Sequence, residues 1–482
     1  MDLADLLRHP VSLSEATRCF EHRGRHYFFE PLCRGYVSMN ADIRRAVADM
    51  ARSSQPAAQY VETCSVPGFR ASVAKLVEAD LLVPSDCTDA ARGRGGSGVP
   101  KELPFRPRKL TIFPTTSCNL RCTYCYARGG ARPRNVDLGQ CRAAIDFYTE
   151  QLAGSSDDPS ERPSAGLSLH GGGEPTSVFS LVREIVRIFK ESADARGLRS
   201  HVSVVSNGTF GPEILEWILS EKIGVSLSLD GIQEVQDRNR PFRNGRGSYE
   251  LVAGNAAALV RDGREVAVRA TVTGEDVIHM RSAVELAREL GLASIHFEPV
   301  SICGRAEDSR VAECDPDDFA ATLLDCFSKG LEYDVDVGYS GLRCLDQFLG
   351  RFCSACGDNF CLTPEGHIST CYEVLEQDDP AARVFFIGQV DRGEVRIDNG
   401  SVEHLRTRVA DNMHACGSCF LRMNCAGDCL IKCFRSTGDI FGPDAERCRI
   451  AETVNKQIIA WIADGVIEPR DPNRCVTAEV RC

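Results

Sequence analysis

Apolar positions recur with two periods along this chain, and the switches between them divide it into segments. In residues 1–85, Arg25–Glu30 and Gly35–Met39 alternate like short strands around a turn. Asn40 is placed to cap a helix from Ala41 to about Ala51, a second helix starts near Ala57, and a third crosses Ser72 to Ala79. Leu81-Leu82-Val83 reads as a closing strand. Two strands and three helices predict a winged-helix-like unit. Residues 86–104 carry no period and are rich in Gly, Arg and Pro, the composition of a flexible linker.

From Leu110 the pattern alternates strand and helix. The strands fall at Leu110–Phe113, Gly166–His170, Val202–Ser206, Val225–Leu229, Val266–Thr273 and Ser294–Pro299. Amphipathic helices fit between them at Leu138–Leu152, Val178–Ala193, Pro212–Lys222, Leu251–Asp262 and Arg281–Leu290. This alternation predicts an α/β fold of parallel strands with right-handed crossovers. Six repeats are too few to close an eight-fold barrel, so residues 105–316 read as a partial, TIM-like (βα)6 barrel. Its chemistry is expected at the C-terminal ends of the strands. Residues 317–450 lose the regularity and are rich in Cys, Gly and Asp, which predicts a segment fixed by ligands more than by an apolar core. A last packing helix is expected over Ala451–Ala463, within a terminal segment 451–482.

The net charge of -12 gives no basic face for a nucleic acid. No run approaches the roughly 20 apolar residues of a membrane helix, and Met1–Asp5 lacks the pattern of a signal peptide. A cytoplasmic protein is expected, with no nucleic-acid or membrane partner. In a reducing compartment the 24 cysteines are not a disulfide framework. They crowd into a triplet, Cys118 to Cys125, and a larger group from Cys353 to Cys448. Such clusters read first as metal or iron–sulfur ligands, while isolated cysteines such as Cys19, Cys64, Cys141 and Cys326 read as small buried hydrophobes.

The triplet Cys118-x3-Cys122-x2-Cys125 follows the first predicted strand. Three thiolates can hold three irons of a [4Fe–4S] cluster and leave the fourth open to a chelating ligand. The alternative is a structural zinc loop that borrows a distant ligand. With Tyr124 before its last cysteine, the triplet resembles the radical S-adenosylmethionine (SAM) superfamily. His170-Gly171-Gly172-Gly173-Glu174-Pro175 resembles that family's GGEP motif, which implies contacts from Gly172, Gly173 and Glu174 to the methionine amino group. The resemblance further implies Ser206, Asn207, Ser228 and Asp230 near the ribose and Arg269 on the methionine carboxylate; Arg269 could equally be a surface residue. Phe297-Glu298-Pro299-Val300 closes the sixth strand in the family manner.

Cys356-x9-Gly366-x4-Cys371, then Cys416-x2-Cys419-x5-Cys425-x3-Cys429 and Cys448, resembles the SPASM module, which carries two auxiliary [4Fe–4S] clusters. The resemblance implies one cluster on Cys416, Cys419, Cys425 and Cys448, and another on Cys356, Cys371 and Cys429. Cys353 is the expected eighth ligand, with Cys344 and Cys361 as alternatives, and Cys433 is surplus. The 1–85 unit resembles the PqqD-type domain that captures the leader of a precursor peptide as an added strand, with Tyr27-Phe28-Phe29 as the template edge.

Together these imply three [4Fe–4S] clusters, bound SAM, a flavodoxin- or ferredoxin-type electron donor, and a precursor peptide or small protein as substrate. The expected activity is peptide maturation by hydrogen abstraction, with thioether cross-linking as the leading product, as in the maturases of quinohemoprotein amine dehydrogenase. Peptide epimerisation, carbon–carbon cross-linking and formylglycine formation of the anaerobic sulfatase-maturase type are alternatives. Sulfatase maturases carry an aspartate base after the cysteine of the Gly-x4-Cys spacing. Here Tyr372 and then Glu373 follow, and they are the candidate catalytic residues. A zinc-dependent interaction protein without catalysis is the reading from another class.

Overall fold

All six predicted barrel strands form, in the predicted order and within three residues of the predicted ends. They appear in a computed structural model that describes residues 3–14, 17–30, 35–86, 105–153, 163–342, 345 and 349–467. The predicted linker beyond Asp86, the alternative ligand Cys344 and the tail beyond 467 lie outside the described residues.

The N-terminal strands are β1 (Val11–Leu13), β2 (Arg18–His22), β3 (Arg25–Glu30), β4 (Gly35–Met39) and β5 (Leu82–Pro84). The barrel strands are β6 (Leu110–Ile112), β7 (Ser164–Leu169), β8 (Arg199–Ser206), β9 (Gly224–Ser228), β10 (Ala267–Val272) and β11 (Ser294–Pro299). Then come β12 (Asp336–Gly338), β13 (Phe360–Leu362), β14 (His367–Ser369), β15 (Phe386–Asp391) and β16 (Glu394–Ile397). Strands β6–β11 pair in parallel with helices between them, as apolar runs covered by crossovers should. Leu169, Val204, Leu227, Val268, Ile295 and Phe297 face the helices and join the main core. The intervening residues, Ser168, Ser203, Ser226, Ser228, Arg269, His296 and Glu298, face the opposite, concave side.

The partial barrel is larger than six strands. β12 adds in parallel to β11, and β13 adds in parallel to β6, giving one eleven-stranded sheet that runs on through antiparallel β14, β15 and β16. Short strands of three residues carry too little periodicity to be read from sequence. This overturns the expectation for 317–450. Phe360, Leu362, Ile368, Phe385, Ile387 and Leu405 are buried in the same core as the barrel, so apolar packing as well as the cysteines fixes that segment.

In the N-terminal unit, helices Ala41–Ala51, Ala57–Thr63 and Phe69–Glu78 form close to their predicted spans. Asn40 Oδ1 accepts from Ile43 N at 2.9 Å, the predicted cap. The sheet has three strands, however, because Arg18–His22 adds β2, and β5 pairs with β1 instead. β3 is therefore central, flanked by β2 and β4, and Tyr27-Phe28-Phe29 cannot be a free edge. Phe28, Val37 and Met39 pack on the N-terminal helices, while Phe20, Tyr27 and Phe29 join the main core. The C-terminal helix is longer than predicted, Ala445–Ala463, because Asp444 caps it through Arg447 N at 3.0 Å.

Candidate active site

The Cys118–Cys125 loop leaves the C-terminal end of β6 and is held from three sides. Arg121 N donates to Pro241 O at 2.8 Å and Thr123 N to Asn239 O at 2.9 Å. Arg305 donates from its backbone to Cys125 O at 2.9 Å and from its guanidinium to Cys122 O at 2.8 Å and Gly129 O at 3.0 Å. Arg121 and Arg243 add bonds to Leu120 O and Gly130 O. Burial pushes Cys118 up to about 11 and Cys122 up to about 12, and the neighbouring Cys125 adds to both. Thiols so placed are neutral unless a cation sits among them, which suits a cluster site.

Glu174 is buried at the N-terminal side of this loop. Its Oε1 accepts from Thr176 N at 3.0 Å, Thr176 Oγ1 at 2.7 Å and Ser206 Oγ at 2.8 Å, and its Oε2 from Asn207 N at 2.6 Å. Asn207 Nδ2 donates to Asn119 Oδ1 at 2.9 Å, which ties the end of β8 to the cysteine loop. A Cβ on Gly173 would collide with Ser117 O, so only glycine lets the two loops approach. Gly172 lies beside it, against Leu375 and Ala127. Asp230 is engaged within the protein as well: Tyr124 donates to it, Arg240 Nε pairs with it at 3.0 Å, and it accepts from Thr271 N at 2.9 Å. The structure thus brings Tyr124, Glu174, Ser206, Asn207 and Asp230 together around the loop as its scaffold. Ser228 and Arg269 are register partners on β9 and β10, and among the described residues no carboxylate pairs with Arg269.

In the Cys-rich segment, Cys448 lies within electrostatic reach of Cys425, Cys416 and Cys419, and Cys371 within reach of Cys429 and Cys361. Cys356 N donates to Cys353 O at 3.2 Å. Cys433 hydrogen-bonds to Gly427 O at 3.4 Å, a packing role. Among the described residues no three His, Cys, Asp or Glu side chains converge tightly enough for a single metal ion. Arg408 is the residue that sequence reading missed here. It is fully buried, donates to Ile440 O, Ala426 O at 2.8 Å and Gly427 O at 2.7 Å, and has no carboxylate partner among the described residues. Its charge faces Cys356, Cys416 and Cys433. A buried cation without a counter-charge costs several kcal/mol, and anionic iron–thiolate groups on these cysteines would supply one. The thiol donors at both places are of the kind that iron–sulfur clusters take, and among the described contacts Cys356 is tied to Cys353 and Arg408 rather than to Cys371 or Cys429.

Tyr372 and Glu373 connect the two halves. The Tyr372 ring stacks on His170 at 4.9 Å and 17°, and its carbonyl accepts from Tyr126 of the cysteine loop at 3.3 Å. Glu373 pairs with Lys432 at 2.9 Å. Lys432, His296 and Arg447 were not singled out from sequence, because isolated polar residues in strands and helices carry no local signal, and His170 was read only as the first residue of the glycine motif.

A strand-end loop bearing three thiols stands beside a glycine turn and a buried glutamate at the end of a parallel sheet. Residues 112–290 match the family model of the Radical SAM superfamily, so the chain carries a radical SAM domain, which implies a [4Fe–4S] cluster and SAM, and it is an enzyme. It is 23% identical over 279 residues to the cysteine-type anaerobic sulfatase-maturating enzyme of Clostridium novyi (strain NT), covering 56% of this chain and 71% of that one. It is 27% identical over 352 residues to the mycofactocin maturase MftC of Mycobacterium tuberculosis (strain ATCC 25618 / H37Rv), covering 70% and 82%. The structure of Streptococcus suis SuiB bound to precursor peptide SuiA shares the fold, with a TM-score of 0.52 at 12% identity, over 90% of this chain and 99% of that one.

Proposed function

We propose that this enzyme is a radical SAM maturase of a ribosomally made peptide, with thioether formation as its reaction. Cys118, Cys122 and Cys125 would hold the cluster that binds SAM, with Gly172, Gly173, Ser206, Asn207, Ser228 and Arg269 around the nucleotide and methionine. When bound, that pair supplies a 5'-deoxyadenosyl radical able to take a hydrogen atom from an unactivated carbon. The chain's own residues orient the ligands and exclude water: Glu174 braces the β8 end, and Asp230 and Arg240 brace Tyr124. Cys416, Cys419, Cys425 and Cys448 would hold one auxiliary cluster; Cys356, Cys371, Cys429 and a further cysteine, Cys353 by proposal, the other. The two cysteine sets around the uncompensated Arg408 are the observation that carries this reading.

The N-terminal unit would recruit the precursor by strand addition. Since β3 is internal, the template is β2 or β4, the two edges of its sheet. A cytoplasmic flavodoxin or ferredoxin would supply electrons. The similarity to the sulfatase-maturating enzyme favours a second reading, formylglycine formation. The Tyr372-Glu373 pair, in place of that group's aspartate, speaks against it.

The test is anaerobic reconstitution of the full chain. Three clusters predict about twelve irons per chain, 5'-deoxyadenosine on addition of dithionite and SAM, and a mass loss of two hydrogens in a co-expressed short peptide from a reading frame that flanks the gene. Iron-loaded protein that makes no 5'-deoxyadenosine overturns the class. Conversion of a short sulfatase-type cysteine peptide overturns the ranking.

A further inference from the structure

Strands β9, β10 and β11 place Ser228, Arg269 and His296 in one row, because Arg269 is in register with both others. This row crosses the concave face, from the proposed nucleotide side at Ser228 toward the Cys-rich segment. His296 at its far end is 4% exposed, and Glu298, two residues on, shares its face. His296 Nε2 lies 3.1 Å from Glu298 Oε1.

Glu298 is held rigidly. Its Oε1 also accepts from Ser340 N at 3.0 Å, and its Oε2 faces Arg447 Nη1 at 3.5 Å. Arg447 is fixed in turn by Asp428 at 2.9 Å and Ser340 Oγ at 2.7 Å. Burial alone would raise the Glu298 carboxyl, but His296 and Arg447 hold it well below the usual carboxylate range. An ionised carboxylate only accepts, so His296 Nε2 carries the hydrogen and Nδ1 presents its lone pair. Among the described residues that buried Nδ1 has no hydrogen-bond partner. A buried polar atom left so is free to take a partner from a bound molecule.

We propose that His296, oriented by Glu298, is the proton acceptor for the substrate group that bonds to the carbon radical. A carboxylate-backed imidazole with its second nitrogen free is the arrangement of a general base. It supplies what Tyr372, which stands at the aspartate position, cannot. In thioether formation the substrate C–H bond breaks and its hydrogen atom passes to the 5'-deoxyadenosyl radical. The cysteine S–H proton passes to His296 Nδ1, and the C–S bond forms. The remaining electron would pass to an oxidised auxiliary cluster held by the Cys-rich segment, the oxidant that balances the step. Burial opposes the imidazolium most, Glu298 stabilises it, and Arg269 on β10 and Arg447 on the C-terminal helix oppose it further, so the proton is passed on readily.

This inference rests on the maturase reading, and the two fail differently. The reconstituted full chain is incubated with dithionite, SAM and synthetic peptides from the short reading frames that flank the gene, and modified peptide is counted per 5'-deoxyadenosine formed. In His296→Gln that ratio is expected to fall at least tenfold, and in Glu298→Gln several-fold, with part restored in Glu298→Asp. Imidazole added to His296→Gly should recover part of the loss. The wild-type ratio should fall on the acid side of a pH profile, below the usual histidine range, and His296→Gln should abolish that limb. Iron content and 5'-deoxyadenosine yield report whether each variant is folded. A wild-type ratio in His296→Gln overturns the proposal, as does a loss of 5'-deoxyadenosine in parallel with product, which would place His296 in the nucleotide site. Wild-type chain that makes 5'-deoxyadenosine but modifies no peptide overturns the maturase reading itself.

Discussion

Arg408 shows how much one residue can decide. A guanidinium with no solvent exposure and three carbonyl partners is hydrogen-bonded, but no carboxylate among the described residues neutralises it. Placed against Cys356 and Cys416, it would favour the anionic iron–thiolate groups proposed there and their reduced state. In Arg408→Gln the auxiliary clusters should load less iron, and their midpoint potential should fall by about 59 mV for each tenfold loss in reduction equilibrium. EPR-monitored redox titration checks this. An unchanged potential with full iron would show that the charge acts only as packing. The roles of Cys118, Cys122 and Cys125 were legible in sequence because their spacing is local. Arg408 was not, because its partners lie 18 to 32 residues away and are backbone oxygens.

At the scale of elements, the alternation of apolar and polar residues in β7 to β11 divides structure from chemistry. The helix-facing rows build the core, and the concave rows carry Ser228, Arg269, His296 and Glu298. Such alternation was legible, and so were the glycine turn and the cap at Asn40, each a short-range pattern. Strand β12, which seats Ser340 near Glu298, was not, nor was the stacking of His170 on Tyr372, which joins β7 to a loop 202 residues later. Burial, followed by the charges of Arg269 and Lys109, pushes His170 down to about 3. Its folded value is thus below its unfolded one, so the unfolded chain binds more protons between the two. Stability from this group is full above about 6.5 and declines as pH falls toward about 3. Between pH 7 and pH 5 the loss should be about 1–2 kcal/mol. His170→Phe should remove that part of the slope, measured by denaturant midpoints against pH.

Across the whole molecule, the N-terminal sheet is a middle layer. One face packs on its own helices, and the other meets the C-terminal helix and Phe420, which lies between Cys419 and Cys425. Phe420 stands 4.8 Å from Phe20 and 6.2 Å from Phe29, Lys456 covers its ring, and Tyr27 and Ser38 bond to Asp464. The proposed peptide-recruiting unit is therefore seated on the loop proposed to hold an auxiliary cluster. Phe420→Ala should cost about 3–4 kcal/mol, the usual loss for a buried phenylalanine. Hydrogen exchange should rise first in β2 to β4; a uniform rise across the chain would instead mark Phe420 as part of the common core. No helix among the described residues is long and apolar enough to cross a membrane.

The sequence by itself determined the order of strands and helices, the loops that carry the thiols, and the class of chemistry they support. Those properties depend on neighbours within a few residues, where period, spacing and turn residues act directly. Only the tertiary structure decided that the Cys-rich segment shares the barrel's core, that β3 is internal, and that His296 and Arg408 have the surroundings they have. Those outcomes depend on which distant backbones and charges come to share one desolvated space, and no local pattern encodes that.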